Sequence, residues 1–98
     1  MGRRLRLLPV GAADVLRRQP ATRRRRFKEA FRRLAEDPTG VGTGMDVRVL
    51  DTDDNLPRIL RLRLGDWRAA FVVEAREVVI LRVFHRSEGY AWMDELDL

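Results

Sequence analysis

The sequence predicts a small α+β fold with a small antiparallel β-sheet, in the order strand, helical hairpin and three-stranded meander, followed by a short C-terminal helix. Three observations predict it. Leucine alternates with arginine in two separate segments, an apolar stripe with helical spacing lies between them, and Gly65-Asp66 separates two strand-like runs. With 98 residues, we expect a single domain spanning residues 1–98.

The N-terminal third predicts one strand and two helices. In residues 3–8, Leu5 and Leu7 share one face, which is the period of a half-buried strand. Apolar residues at helical spacing predict a short helix over 12–19, which Pro20 interrupts. A second helix ends at Asp37 and Pro38, and its core-facing stripe consists of Phe27, Ala30, Phe31 and Leu34.

The rest of the chain predicts strands and a final helix. A short strand is expected over 46–50, and two longer strands over 59–64 and 67–74 flank the Gly65-Asp66 turn. A second tight turn at Arg76-Glu77 leads to residues 78–84, an apolar run typical of an interior strand. Ser87 is the expected N-cap of a terminal helix that carries Tyr90 and reaches about Leu96.

Composition excludes several functional classes. Without cysteine there is no disulfide framework and no thiolate nucleophile, and the single histidine cannot build a metal centre, so we expect no metal and no cofactor. No apolar run approaches the ~18 residues of a membrane span, which predicts a cytoplasmic protein. Asp51, Asp53, Asp54 and Asn55 imitate a calcium loop, but Leu56 replaces the required glycine, so an acidic turn is expected.

Charge is segregated along the chain. The net charge is +5 and the isoelectric point about 11.1; residues 1–35 contain 12 basic and 2 acidic residues, whereas residues 36–57 contain 1 and 6. The excess predicts a polyanionic partner, although a GC-rich genome would explain the use of arginine equally well. The candidate RNA contacts, against the alternative of a solvated helix face, are Arg23, Arg24, Arg25, Lys28 and Arg82.

Three arginines are expected on one sheet face. A two-residue turn at Gly65-Asp66 pairs Arg63 with Arg68 and sends the leucines and Trp67 to the opposite face, so that Arg61, Arg63 and Arg68 converge. If the turn at Arg76-Glu77 also has two residues, His85 lies opposite Arg68, whereas a longer turn would break this pairing. The alternative is a solvated face on which the arginine stems fan apart.

Arg86 and Tyr90 extend this cluster. Arginines suit the charge that develops at a phosphodiester undergoing attack, and RNA supplies its own 2′-hydroxyl nucleophile. His85 is the candidate base, and Tyr90 is a candidate acid or base-stacking residue. Both could also be structural. The candidate catalytic set is therefore Arg61, Arg63, Arg68, His85, Arg86 and Tyr90.

The order of these motifs resembles RelE-type toxins of the RelE/ParE superfamily. The similarity covers the strand and helical hairpin, the segment Arg61-Leu-Arg63-Leu-Gly-Asp-Trp-Arg68, and the later His85-Arg86 pair with Tyr90. The resemblance implies cleavage of mRNA on the ribosome and control by a cognate antitoxin. It also implies phosphate stabilisation by Arg68, assistance to the leaving group by Arg86 and base stacking by Tyr90.

Two departures from the family pattern affect this interpretation. Arg61 and Arg63 stand where lysine is common, and arginine stays protonated, so His85 would have to serve as the base. Gly89 replaces a larger residue before Tyr90. The alternatives are a ParE-like toxin that binds and inhibits DNA gyrase without catalysis, and a catalytically weak RNA-binding module.

Overall fold

The computed structural model describes residues 2–40, 44–50 and 58–92. In chain order the elements are β1 (Arg4–Leu7), a π-helical turn (Pro9–Ala13), α1 (Asp14–Arg17), α2 (Ala21–Glu36), β2 (Asp46–Val49), β3 (Leu60–Leu64), β4 (Trp67–Val73), β5 (Glu77–His85) and a 3-10 turn (Arg86–Glu88). The α+β class is confirmed, with one five-stranded sheet in the order β1-β5-β4-β3-β2. The acidic turn at Asp51 to Asn55 and the helix end near Leu96 lie outside the described residues.

Helix α2 packs against one face of the sheet. It begins directly after Pro20, and its predicted stripe is buried, with the Phe27 and Phe31 ring centroids 5.6 Å apart. Asp37 ends the helix because its carboxylate accepts hydrogen bonds from the Thr39 N–H (3.2 Å) and hydroxyl (2.6 Å). None of the helices in the described ranges is long and apolar enough to cross a membrane.

The hairpin of β3 and β4 has the predicted register. Leu64 pairs with Trp67 and Arg63 with Arg68, and Gly65 adopts the positive φ of 60° that a tight turn requires. Alternation then sends the leucines and Phe71 to the helix face and the arginines to the other face. The helix-face core contains Ala12, Leu16, Phe27, Ala30, Phe31, Leu34, Leu62, Ala69, Phe71, Val78, Ile80 and Val83.

The sheet is mixed instead of wholly antiparallel. Strands β2 to β5 form an antiparallel meander, but β1 pairs with β5 in parallel, with Leu5 opposite Val78 and Leu7 opposite Ile80. The difference arises because the chain reaches β5 through the helices and three further strands and returns beside β1 in the same direction. β5 is therefore the interior strand that its apolar run predicts.

A β-bulge shifts the register between β4 and β5. Phe71 pairs with Ile80 but Ala70 pairs with Arg82, which leaves Leu81 as an extra residue. The preceding turn is also displaced from its predicted position. Val73 pairs with Val78, and the turn therefore lies at Ala75-Arg76 instead of Arg76-Glu77.

The second sheet face carries its own apolar cluster, which the sequence reasoning missed. It consists of Ile59, Ala70, Val72, Val79, Leu81, Phe84 and Trp92. The available signal was the unbroken apolar run at the start of β5, because a strand covered on both faces does not alternate. The segment after β5 is a 3-10 turn whose N-cap is His85, so the predicted N-cap at Ser87 and the helix carrying Tyr90 were wrong for the described residues.

Candidate active site

Three arginines lie on the sheet face away from the helices. Arg63 sits directly between Asp46 on β2 and Arg68 on β4, and Arg61 is two residues before Arg63 on the same face of β3. Burial lowers the pKa of Arg68, and the positive charges of Arg63 and Arg61 lower it further. The arrangement is a site of concentrated positive potential that a bound anion would relieve.

Arg68 is held in place by the turn that precedes it. Its Nη1 donates hydrogen bonds to the carbonyl oxygens of Gly65 (2.6 Å) and Trp67 (2.9 Å). Two carbonyl contacts fix this guanidinium close to the backbone, so less side-chain entropy is lost when it binds a phosphate. The β3–β4 turn thus orients Arg68 before any ligand arrives.

Arg61 is largely enclosed by its neighbours. Its side chain is 12% exposed, and its Nη2 lies 3.1 Å from Oδ1 of Asp46. The same carboxylate oxygen lies 3.4 Å from Nε of Arg48. Asp46 therefore neutralises part of the cluster and orients Arg61. The sequence reasoning missed Asp46, because the predicted strand over 46–50 is too short to specify its register against β3.

Arg86 and Tyr90 border the same cluster. The Arg86 backbone N–H donates to the carbonyl oxygen of Asp66 (2.8 Å), and its Nε lies 3.5 Å from the Asp66 carboxylate. Tyr90 packs edge-on against Phe84 with ring centroids 5.5 Å apart, and its side chain remains exposed. Phe84 is the β5 partner of Arg68, so Tyr90 packs beside that position on the arginine face. The charge of Tyr90 raises the pKa of Arg68, and the charge of Arg86 lowers it.

His85 does not lie opposite Arg68, and that part of the sequence prediction was wrong. The displaced turn and the extra residue at Leu81 place His85 opposite Trp67, with ring centroids 5.4 Å apart and planes at 84°. Its Nδ1 accepts the N–H of Ser87 (3.2 Å) and contacts the Ser87 hydroxyl (2.8 Å). The partner of Arg68 on β5 is Phe84, so His85 is separated from the arginine face by the sheet.

The predicted RNA contacts are spread over several surfaces. Arg23 lies over the ring of Trp67, at 5.0 Å from Cζ to the centroid, and Nη1 of Arg24 points to the carbonyl oxygen of Gln19 (3.4 Å). Arg25 and Lys28 are exposed on other sides of α2. Arg82 lies on the arginine face above Trp92, at 5.7 Å from Cζ to the ring centroid.

The arrangement combines an electrostatic site with an aromatic side chain. Arg63, Arg68 and Arg86 offer charged donors that can surround a phosphate, and Tyr90 offers an exposed ring on which a base can stack. Within the described ranges, no group of histidine, cysteine, aspartate or glutamate residues could hold a metal ion. Arginine cannot give up its proton in a protein, so the cluster can stabilise charge but supplies no guanidine base.

Comparisons with known proteins agree on one superfamily. The family model described as the ParE toxin of the type II toxin-antitoxin system parDE matches residues 12–90. A chain of the archaeal RelE-RelB complex from Pyrococcus horikoshii is 26% identical, with a TM-score of 0.73 over 91% of this chain and 100% of that chain. A search of curated proteins found no significant match.

Two further solved structures share the fold at lower identity. A chain of the RelB-RelE antitoxin-toxin complex from Methanococcus jannaschii is 16% identical, with a TM-score of 0.63 over 94% of this chain and 99% of that chain. A chain of the RelBE2 toxin-antitoxin complex from Mycobacterium tuberculosis is 23% identical, with a TM-score of 0.65 over 89% and 94%. These two similarities concern the arrangement of helices and strands.

Proposed function

This chain belongs to the RelE/ParE superfamily of type II toxin-antitoxin toxins, and we propose that it is an endoribonuclease that cleaves mRNA on the ribosome. The observation that carries the proposal is the cluster of Arg61, Arg63, Arg68, Arg86 and Tyr90 on one sheet face. An inhibitor that only binds a protein does not require several mutually repelling guanidinium groups beside an exposed tyrosine.

In the proposed reaction, the 2′-hydroxyl oxygen of the RNA attacks the neighbouring phosphorus and the 5′-oxygen departs, which leaves a 2′,3′-cyclic phosphate. Arg63 and Arg68 contact the non-bridging oxygens, where negative charge accumulates. Arg86 donates a hydrogen bond to the departing 5′-oxygen, which takes its proton from water, and Tyr90 stacks on a flanking base. The proton of the 2′-hydroxyl passes to water, because the arginines stay charged and His85 lies on the other face.

The decisive experiment combines two assays on the purified chain. Ribosomes carrying a defined mRNA are incubated with the protein and cleavage is mapped by primer extension, while a parallel reaction measures DNA supercoiling by gyrase. Cleaved transcripts with unchanged supercoiling are the expected result. Intact transcripts with inhibited supercoiling would replace the nuclease proposal with the second candidate.

That second candidate is a toxin that inhibits DNA gyrase by binding and has no catalytic activity. Two observations favour it. The matching family model is described as a ParE toxin, and the arginine face lacks the histidine that would serve as a base. The arginine cluster would then be an electrostatic docking surface for a protein or for DNA.

We also propose that a cognate antitoxin binds this chain. Two solved structures similar to it come from complexes described as toxin-antitoxin assemblies. The positive N-terminal third suits an acidic segment, and the edge strand β2 leaves Val49 55% exposed, which offers an apolar contact. Co-expression with the product of the neighbouring gene should raise the thermal midpoint of unfolding. An unchanged midpoint would contradict the proposed pair.

A further inference from the structure

A groove lies on the helix face of the sheet, across the sheet from the arginine cluster and at the same β3–β4 turn. Its volume is about 460 Å³, and it lies between the first turns of α2 and the β3–β4 turn. Its lining includes Arg23 and Arg26 from α2 and Trp67 and His85 from the sheet. Leu64 and Trp67 belong to the face opposite Arg63 and Arg68, so the two surfaces share one end of the sheet.

The side chains at the floor of this groove are held by contacts with one another. The Trp67 ring is contacted by the His85 ring at 5.4 Å and lies beneath the guanidinium of Arg23 at 5.0 Å. Nη1 of Arg23 donates to Oε1 of Gln19 (3.0 Å), and His85 is held by Ser87 through its Nδ1. Arg23 is thus fixed by an aromatic ring and an amide instead of being neutralised by a carboxylate.

Arg26 supplies a second charge without a counter-ion. Residues three apart on a helix lie on the same side, which places Arg26 beside Arg23 along the groove. Arg26 is exposed and forms no ion pair with another described residue, whereas Arg32 and Arg33 on the same helix pair with Glu29. The Asp66 carboxylate at the rim lies 3.5 Å from Nε of Arg86. The groove therefore keeps an uncompensated positive charge.

We propose that this groove binds a phosphodiester of RNA through Arg23 and Arg26. The proposal rests on the RNA-directed function above, and it extends the RNA path around the β3–β4 turn from the arginine face to the helix face. The phosphate belongs either to the message or to ribosomal RNA, and both present the same charged oxygens to the two guanidinium groups.

The test compares Arg26→Gln with Arg18→Gln in the full chain. Arg18 is exposed, lies outside the groove lining and forms no ion pair with a described residue, so this control removes the same charge from a different place. Binding is measured as a function of salt for two probes: a single-stranded oligoribonucleotide with 2′-O-methyl groups, which cannot be cleaved, and isolated ribosomes. Thermal melting of each variant checks that the fold is retained.

We expect Arg26→Gln to weaken binding several-fold and to reduce the slope of log affinity against log salt by about 0.7, as for one lost single-strand phosphate contact. Arg18→Gln should change both quantities much less. A loss seen with the oligoribonucleotide assigns the phosphate to the message, and a loss seen with ribosomes alone assigns it to ribosomal RNA. Equal behaviour of the two variants on both probes would overturn the proposal.

The cleavage assay separates this proposal from the proposed function. If transcripts stay intact while RNA binding still depends on Arg26, the RNA-binding groove is supported and the proposed nuclease activity is contradicted. If transcripts are cleaved and the two variants bind RNA equally well, the nuclease activity is supported and the RNA-binding role of the groove is contradicted.

Discussion

Arg61 and Arg82 flank Ala70 from neighbouring strands on the same sheet face, and each has a buried Nε without a hydrogen-bond partner among the described residues. Ala70 itself is fully buried. Two cationic stems therefore lie beside a methyl group in a partly apolar cluster that includes Phe84 and Trp92. Buried donors without partners cost free energy in the folded state, so these two Nε atoms lower the stability of the fold.

The first prediction concerns Arg82. Arg82→Met keeps an unbranched apolar stem but removes the buried donor, whose burial costs about 1–3 kcal/mol, against about 0.5–1 kcal/mol lost from the contact with Trp92. The free energy of unfolding should therefore stay level or rise by about 1 kcal/mol in urea titrations. Arg82→Ala should lower it through lost packing. Equal destabilisation by both variants would show that the charge of Arg82 is satisfied in solution.

The second prediction concerns Arg68. Arg68→Ala should slow cleavage by about 10² to 10³, the effect of losing one donor aimed at a developing oxyanion. Its free energy of unfolding should change by less than about 1 kcal/mol, because relief of repulsion from Arg63 opposes the loss of two carbonyl hydrogen bonds. The rate is measured in single turnover at saturating ribosomes.

Arg76→Ala is the matched control for that experiment, since Arg76 is exposed in the turn between β4 and β5. It removes the same charge far from the cluster and should retain the cleavage rate. If the Arg68→Ala and Arg76→Ala variants cleave the transcript at the same rate, Arg68 has no part in the reaction.

The third prediction concerns His85 as a cap. Its Nδ1 accepts the Ser87 N–H at the start of the 3-10 turn, so His85→Ala should lower the free energy of unfolding by about 1 kcal/mol. His85→Asn offers a side-chain oxygen to the same N–H and should recover much of that loss. Thermal or urea unfolding measures both. Identical stabilities of the Ala and Asn variants would mean that the hydrogen bond contributes nothing.

The fourth prediction concerns Gly11. A β-carbon at this position would lie 2.4 Å from the carbonyl oxygen of Leu81, so Gly11→Ala should destabilise the protein by about 1–3 kcal/mol. Gly2→Ala is the control, because its nearest contact would be an ordinary 3.5 Å. A Gly11→Ala variant as stable as Gly2→Ala would show that the π-helical turn moves away from β5 at little cost.

The register of β3 with β4 could be predicted because the turn chemistry and the alternation agree. Gly65 tolerates the positive φ, and the leucines identify the buried face. The register of β5 could not be predicted, because the segment from Val78 to Leu81 is apolar on both faces and shows no alternation of apolar and polar residues. The bulge at Leu81 lies where Gly11 approaches β5, a contact between distant segments that leaves no local pattern.

The difference between these two registers determines which site residues could be positioned correctly from the sequence. Arg63 and Arg68 depend only on the first turn and lie where the alternation predicts. His85 depends on the second turn, which changes its partner, and on the bulge, whose extra residue moves it to the other face. Asp46 depends on the pairing of β2 with β3, which a segment of only four residues does not specify by itself.

The parallel pairing of β1 with β5 bears on the order of events during synthesis. β1 can acquire its only neighbour in the described sheet after residues 77–85 have left the ribosome, and bringing such distant segments together is entropically slow. The arginine face is assembled on β3 and β4, which need β5 beside them to bury their apolar side chains. We therefore expect nascent chains to stay unassembled until translation has passed β5, which leaves an interval in which a newly made partner can bind before the site exists.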